Sequence, residues 1–244
     1  MSGNIQLLDD TLARTREEGR AALIAYLPAG FPTVEGSIEA IKAVLDAGAD
    51  VVEVGLPHSD PVLDGPVIQT ADDIALRGGL KIADVLRTVR EAHQATGKPV
   101  LVMTYWNPVD RYGVDRFAQE LAEAGGAGCI LPDLPVQEAD LFTAVGSGFV
   151  YAASLMGVTG TRDSVGEQAR ALVERTRAAG KLPVCVGIGV SSAAQAAEVA
   201  EFADGVIVGS AFVKRMLDAP DAAAGVEAVR ALAAELAEGV RRTG

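Results

Sequence analysis

Short apolar runs recur along this chain, and longer segments between them carry apolar residues at every third or fourth position. The runs at 23–27, 50–56, 99–105, 128–131, 148–153, 182–186 and 205–208 predict seven buried strands. The intervening segments 34–47, 66–77, 81–95, 114–124, 165–179 and 192–202 predict helices, followed by 211–218 and 223–241. Residues 4–19 form an additional amphipathic segment with Ile5, Leu8 and Leu12 on one side. Ser164 with Glu167, and Ser192 with Gln195, have capping-box spacing at helix starts. Nearly continuous apolar strands alternating with helices indicate a parallel sheet covered on both faces.

The strands are short and end in glycine, proline or polar residues. No Gly-x-Gly-x-x-Gly follows the first one, so a (β/α) barrel fits better than a dinucleotide-binding sheet. No linker, repeat or charge block divides residues 1–244, and a single barrel domain is expected. Only twelve residues, Val136 to Ser147, separate Pro135 from Gly148, close to the minimum for a helical crossover. A short helix closing a distorted or incomplete ring is expected there.

One strand breaks the apolar rule. In Asp50-Val-Val-Glu-Val-Gly-Leu-Pro-His-Ser-Asp-Pro-Val-Leu-Asp64-Gly-Pro66, alternation puts Val51, Glu53 and Gly55 on one face and Val52, Val54 and Leu56 on the other. A carboxylate on a buried strand must be paired, hydrogen-bonded or functional. Glu53 and Asp64, at the C-terminal end of a parallel-type strand, are therefore candidates for acid/base work. Burial would raise the proton affinity of Glu53, whereas Asp64, in a loop, would ionise more easily.

Two further segments, Val186-Gly-Ile-Gly-Val-Ser-Ser192 and Gly205-Val-Ile-Val-Gly-Ser-Ala211, run from strand into glycine and serine at a helix start. Such turns after the last two strands of a barrel suit a phosphate, with Gly189, Gly209 and Ser210 offering amides. They also serve simply to end strands. The net charge of −12, from 33 acids and 21 bases, argues against nucleic acid or an anionic membrane as partner but leaves a phosphorylated small molecule open. Cys129 and Cys185 fall in apolar strands and read as buried thiols, which suits a cytoplasmic protein, and no metal-ligand set is evident. His93 reads as exposed, His58 as a polar loop residue and Trp106 as a packing residue; Asp133 either serves the site or caps a turn.

The order Glu-x-Gly-x-Pro-x-Ser-Asp-Pro-x-x-Asp-Gly-Pro, Asp133-Leu-Pro135, Gly157-Val-Thr-Gly160, Gly187-Ile-Gly-Val-Ser191 and Gly209-Ser210 resembles the tryptophan synthase alpha subunit over nearly the whole chain. That resemblance implies a TIM barrel and retro-aldol cleavage of indole-3-glycerol phosphate to indole and glyceraldehyde 3-phosphate, a carbon–carbon lyase reaction. It implies no cofactor in this chain and a beta-subunit partner carrying pyridoxal phosphate, in an alpha2beta2 tetramer. Glu53 would be the general acid/base and Asp64 the acceptor of the indole N–H. Tyr26, Tyr105, Tyr151 and Thr159 would meet the substrate, with Met103 and Ile130 either lining its pocket or filling the barrel. Gly160, Gly189, Gly209 and Ser210 would hold its phosphate, and Pro57 and Asp60 would face the beta subunit. Two features depart from the family: one β/α unit appears absent at the short link, and Leu155-Met156 precede Gly-Val-Thr-Gly where an arginine is usual. The alternatives are a non-catalytic or impaired partner subunit and another phosphosugar-binding barrel isomerase.

Overall fold

The computed structural model describes residues 2–133, 146–153 and 162–241. Seven strands alternate with helices, in chain order α1 (Ser2–Glu17), β1 (Ala22–Pro28), α2 (Val34–Asp46), β2 (Val51–Gly55), α3 (Pro66–Arg77), α4 (Ile82–Thr96), β3 (Val100–Met103), α5 (Trp106–Tyr112), α6 (Val114–Glu123) and β4 (Gly128–Ile130). They continue with β5 (Val150–Ala153), α7 (Arg162–Ala179), β6 (Val184–Gly187), α8 (Ala193–Ala200), β7 (Gly205–Val208), α9 (Ser210–Leu217) and α10 (Ala222–Gly239). All pairings are parallel, in the order β4-β3-β2-β1-β7-β6-β5. β1 is central, and among the described residues β4 and β5 are the two edges. The seven expected strands are all present, and the sheet is an incompletely closed α/β barrel. The expected helix at 136–147 falls almost entirely outside the described residues.

Parallel pairing sends every strand's C-terminal end to the same side, which gathers seven strand-to-helix loops at one mouth. Strand alternation then sorts the core into two layers. Val52, Val54, Val100, Val102 and Val206 face outward against the helices. Ile24, Val51, Leu101, Cys185 and Ile207 face inward. Leu8 and Leu12 of α1 plug the bottom of that inner layer. Ile5 does not join them; it is 43% exposed, because it lies a turn beyond the rim of the sheet.

Capping fixes several helix starts. The Thr33 hydroxyl accepts from the Gly36 N–H at 3.0 Å, and the Asp221 carboxylate from the Ala224 N–H at 2.8 Å. Ser192 accepts from the Gln195 N–H, and Gln195 Oε1 accepts in return from the Ser191 N–H at 2.8 Å, so the box is displaced by one residue. α7 begins at Arg162, so position 164 falls inside the helix rather than before its start. α5 was not foreseen. Its seven residues contain Pro108 and have too few apolar positions for a period, and Asp133 starts it from outside by accepting the Trp106 N–H at 3.0 Å.

Three residues sit differently from expectation. Cys129 is exposed, on the outward side of edge strand β4. Trp106 is 40% exposed at the barrel mouth. His93 is half-buried, with Nδ1 3.1 Å from the Lys98 carbonyl across the α4 terminus.

At the opposite rim Arg20 grips Asp50 with two nitrogens, at 2.7 and 2.8 Å, and Asp50 also accepts the Leu23 N–H at 2.9 Å. Both side chains are less than a tenth exposed. This pair ties α1 to the starts of β1 and β2. Removing one partner strands a buried charge, so Arg20→Ala is expected to cost about 3 kcal/mol of unfolding free energy. Urea denaturation measures it, and a loss below about 0.5 kcal/mol would match a surface pair instead.

Candidate active site

Glu53 lies in the middle of β2, and its neighbours decide its character. Register sets it opposite Tyr26 of β1 and Leu101 of β3, and its side chain turns into the barrel. It is fully buried, and neither carboxylate oxygen has a hydrogen-bond partner. Nothing there offsets the loss of water, so burial pushes its carboxyl up to about 8. At neutral pH the group holds its proton and is able to donate it, as acid catalysis requires.

Asp64 lies on the loop after β2, and its charge, like that of Glu53, reaches Tyr26. It ends a turn in which its own N–H bonds the Pro61 carbonyl, and Gly65 and Pro66 then start α3. The Tyr105 hydroxyl donates to Asp64 Oδ2 at 2.8 Å while accepting the Leu63 N–H at 3.0 Å. Gln69 holds the Asp64 carbonyl at 2.8 Å. Partial burial raises the Asp64 carboxyl above its ordinary range, opposed by the Tyr105 hydroxyl and His58. The His58 ring stacks on Tyr105 with centroids 5.0 Å apart.

Tyr26 connects the acid to the far side of the mouth. Its hydroxyl lies against Gly55, where any β-carbon would collide with it, and its ring lies against Gly209. Burial, reinforced by the negative charges of Asp72, Asp64 and Glu53, keeps the Tyr26 phenol protonated. Adjacent parallel strands are about 4.8 Å apart, so Glu53 on β2 and Gly209 after β7, which flank β1, lie within the span of one small ligand. Gly209 caps α9, and Ser210 is that helix's exposed first residue. Gly189, at φ +77, ends the β6 turn in a left-handed conformation that side chains resist. Tyr151 enters from β5, where its hydroxyl packs on Gly187. Met103 and Ile130 are partly buried and pair in register on the inner face that also carries Leu101. Thr159 and Gly160 lie outside the described residues, as do Leu155 and Met156.

The comparisons with known proteins agree with this geometry. The family model described as tryptophan synthase alpha chain matches residues 12–145 and 140–241. The chain belongs to the tryptophan synthase alpha chain family. A tryptophan synthase alpha chain of Streptomyces coelicolor is 75% identical over 268 residues, covering 99% of each chain. That of Thermobifida fusca is 52% identical over 260 residues, covering 94% of this chain and 96% of the other. A Mycobacterium tuberculosis tryptophan synthase structure superposes with a TM-score of 0.85 at 45% identity, covering 96% of this chain and 98% of that one. The reaction of the family is cleavage of indole-3-glycerol phosphate, and its alpha chains are lyases that imply a beta-subunit partner. Membership also sets aside the phosphosugar isomerase alternative. The family match breaks into two pieces that meet at 140–145, and the Streptomyces coelicolor alignment is longer than this 244-residue chain. The family match is thus interrupted at the short link.

One residue of the site escaped the sequence reading. Asp72 of α3 is 3% exposed, and its Oδ1 is unpartnered. It stands one position before the exposed Asp73 on an amphipathic helix, and periodicity alone marks its position as inward; the signal was an acid in an apolar slot.

The proton on Glu53 links to stability. The unfolded carboxyl ionises near 4.5 and the folded one near 8. The contribution of Glu53 is therefore whole below about pH 4.5 and is lost as pH rises to about 8, by roughly 1 kcal/mol per pH unit. Glu53→Gln removes that loss. Its melting temperature should exceed that of the natural chain at pH 8, with the difference shrinking toward pH 5; a difference independent of pH would contradict the assigned proton.

Proposed function

We propose that this chain carries out the family's carbon–carbon cleavage with Glu53 as acid/base, Asp64 as indole anchor and the Gly189 and Gly209–Ser210 turns as phosphate cradle. The observation that carries the reading is the buried, unpartnered carboxyl of Glu53 beside Tyr26, with Asp64 on the loop after β2 and Gly209 across the ring. Glu53 protonates indole C3, which places positive charge on the ring. Ionised Asp64 accepts the indole N–H and offsets that charge. The glycerol hydroxyl next to C3 then loses its proton to the Glu53 carboxylate. Its O–H electron pair becomes the aldehyde C=O, the C–C bond breaks, and its electrons restore the aromatic ring. Indole and glyceraldehyde 3-phosphate result, and Glu53 regains its proton.

Tyr26, Tyr105 and Tyr151 enclose the ring in this reading, and Thr159 and Gly160 complete the site. The α9 N-terminus favours the phosphate charge. Pyridoxal phosphate belongs to the beta subunit, with which the chain would assemble as an alpha2beta2 tetramer. The surface for that partner is the loop after Pro57, where Asp60 is exposed beside Val62 at 71% and Leu63 at 59% exposure.

The interrupted family match favours a second reading: an alpha-like subunit that binds the beta subunit but turns over poorly. Purified chain, alone and with a beta subunit, is assayed for indole release from indole-3-glycerol phosphate. The catalytic reading predicts release, with Glu53→Gln and Asp64→Asn each reducing kcat by about 10²–10⁴. Stimulation of the beta subunit without indole release supports the second reading, and full turnover by Glu53→Gln overturns the first.

A further inference from the structure

Strand register brings two rings together at the mouth, and the mechanism above uses only one of them. Gly55 ends β2 opposite Met103, the last residue of β3, and the Leu56 N–H extends that pairing to the Met103 carbonyl at 2.9 Å. His58 and Tyr105 follow shortly after these two strand ends, and their rings stack with centroids 5.0 Å apart and planes 29° from parallel. Tyr105 is held at both of its ends. Asp133 accepts the N–H of the next residue, Trp106, with its two carboxylate oxygens at 3.0 and 3.1 Å. The Tyr105 hydroxyl accepts the Leu63 N–H and donates to Asp64 Oδ2. Between those ends the His58 ring covers a face of the phenol. A hydroxyl displaced by about 1 Å falls outside hydrogen-bond range, so the tilt of this ring decides whether Asp64 is held.

We propose that His58 is a positioning residue: its stacked ring fixes the plane of Tyr105 so that the phenol hydroxyl stays on Asp64. This rests on the role assigned to Asp64 in the proposed reaction. The bond engages Oδ2 and leaves Oδ1 to accept the indole N–H. The charged groups around Asp64 are His58 of its own loop, Asp72 of α3 and, across Tyr26, Glu53 of β2, while Asp60 and Asp73 line a cavity beside His58. Burial raises the Asp64 midpoint, and the Tyr105 hydroxyl and the charge of His58 lower it. The contribution of the His58 ring therefore has to be separated from that of its charge.

Two substitutions separate them, because His58→Phe removes the charge and keeps a ring, whereas His58→Ala removes both. Carbon NMR of the labelled, substrate-free chain follows the Asp64 carboxyl, assigned through Asp64→Asn. Its midpoint should rise further in His58→Ala than in His58→Phe, by at least about half a pH unit. In a Tyr105→Phe background, where no hydroxyl is left to align, the two substitutions should give the same midpoint. His58→Ser replaces the alanine variant if that fails to fold. In indole release with the beta subunit present, His58→Ala should lower kcat about fivefold with less than about a twofold change in KM, and His58→Phe should recover most of the loss. Equal midpoints in His58→Ala and His58→Phe would leave His58 acting by charge alone and overturn the proposal, as would a difference that survives Tyr105→Phe. If the natural chain releases no indole, the catalytic reading fails by itself and the titration still decides the role of His58.

Discussion

A fully buried carboxyl group with no hydrogen-bond partner is the constraint around which this molecule is arranged. Glu53 occupies a strand position where an apolar residue would stabilise the barrel more, and the protein tolerates it by keeping it protonated. That solution works only while the cavity stays dry and free of cations. The inner layer below it is Ile24, Val51, Leu101 and Ile207, closed by Leu8 and Leu12. Arg20, the nearest buried cation of the rim, is held at the other end of the strands by Asp50. The same environment that costs stability gives Glu53 a proton to donate near neutrality.

The strand order keeps the site away from the short link. β1 is central, and the acid and the Gly209 turn stand on its two immediate neighbours. The short link joins β4 to β5, the two ends of the sheet among the described residues, so the Tyr26, Glu53 and Gly209 arrangement is set by pairings that do not involve it. Residues on the edge strands lie nearer to it. Cys129 on β4 is exposed, and among the described residues Tyr151 stands on β5 with β6 alone as a paired neighbour. Closure of a ring links strand number, tilt and shear, and among the described residues β4 and β5 remain unpaired with each other.

Much of this was legible in the residues, because strand periodicity and burial obey simple rules. The apolar runs located all seven strands, and alternation put Glu53 on one face with Val51 and Gly55; the fold makes that face the inner one. What escaped depended on contacts between distant segments. α5 has little period and is started by Asp133 from another loop. Asp72 occupies an inward position of α3 that periodicity marks, but what it faces there is set by the fold. Ile5 and Trp106 have the residue types of a core but sit where the barrel ends. In each case the side chain's fate was set by what lies across the chain.

The central claim is that Glu53 is a neutral acid at physiological pH. Its carboxyl carbon, followed by NMR in chain labelled at glutamate and assigned through Glu53→Gln, measures this directly. The structure predicts a titration midpoint near 8. A midpoint near 4.5, the ordinary value for glutamate, would contradict it.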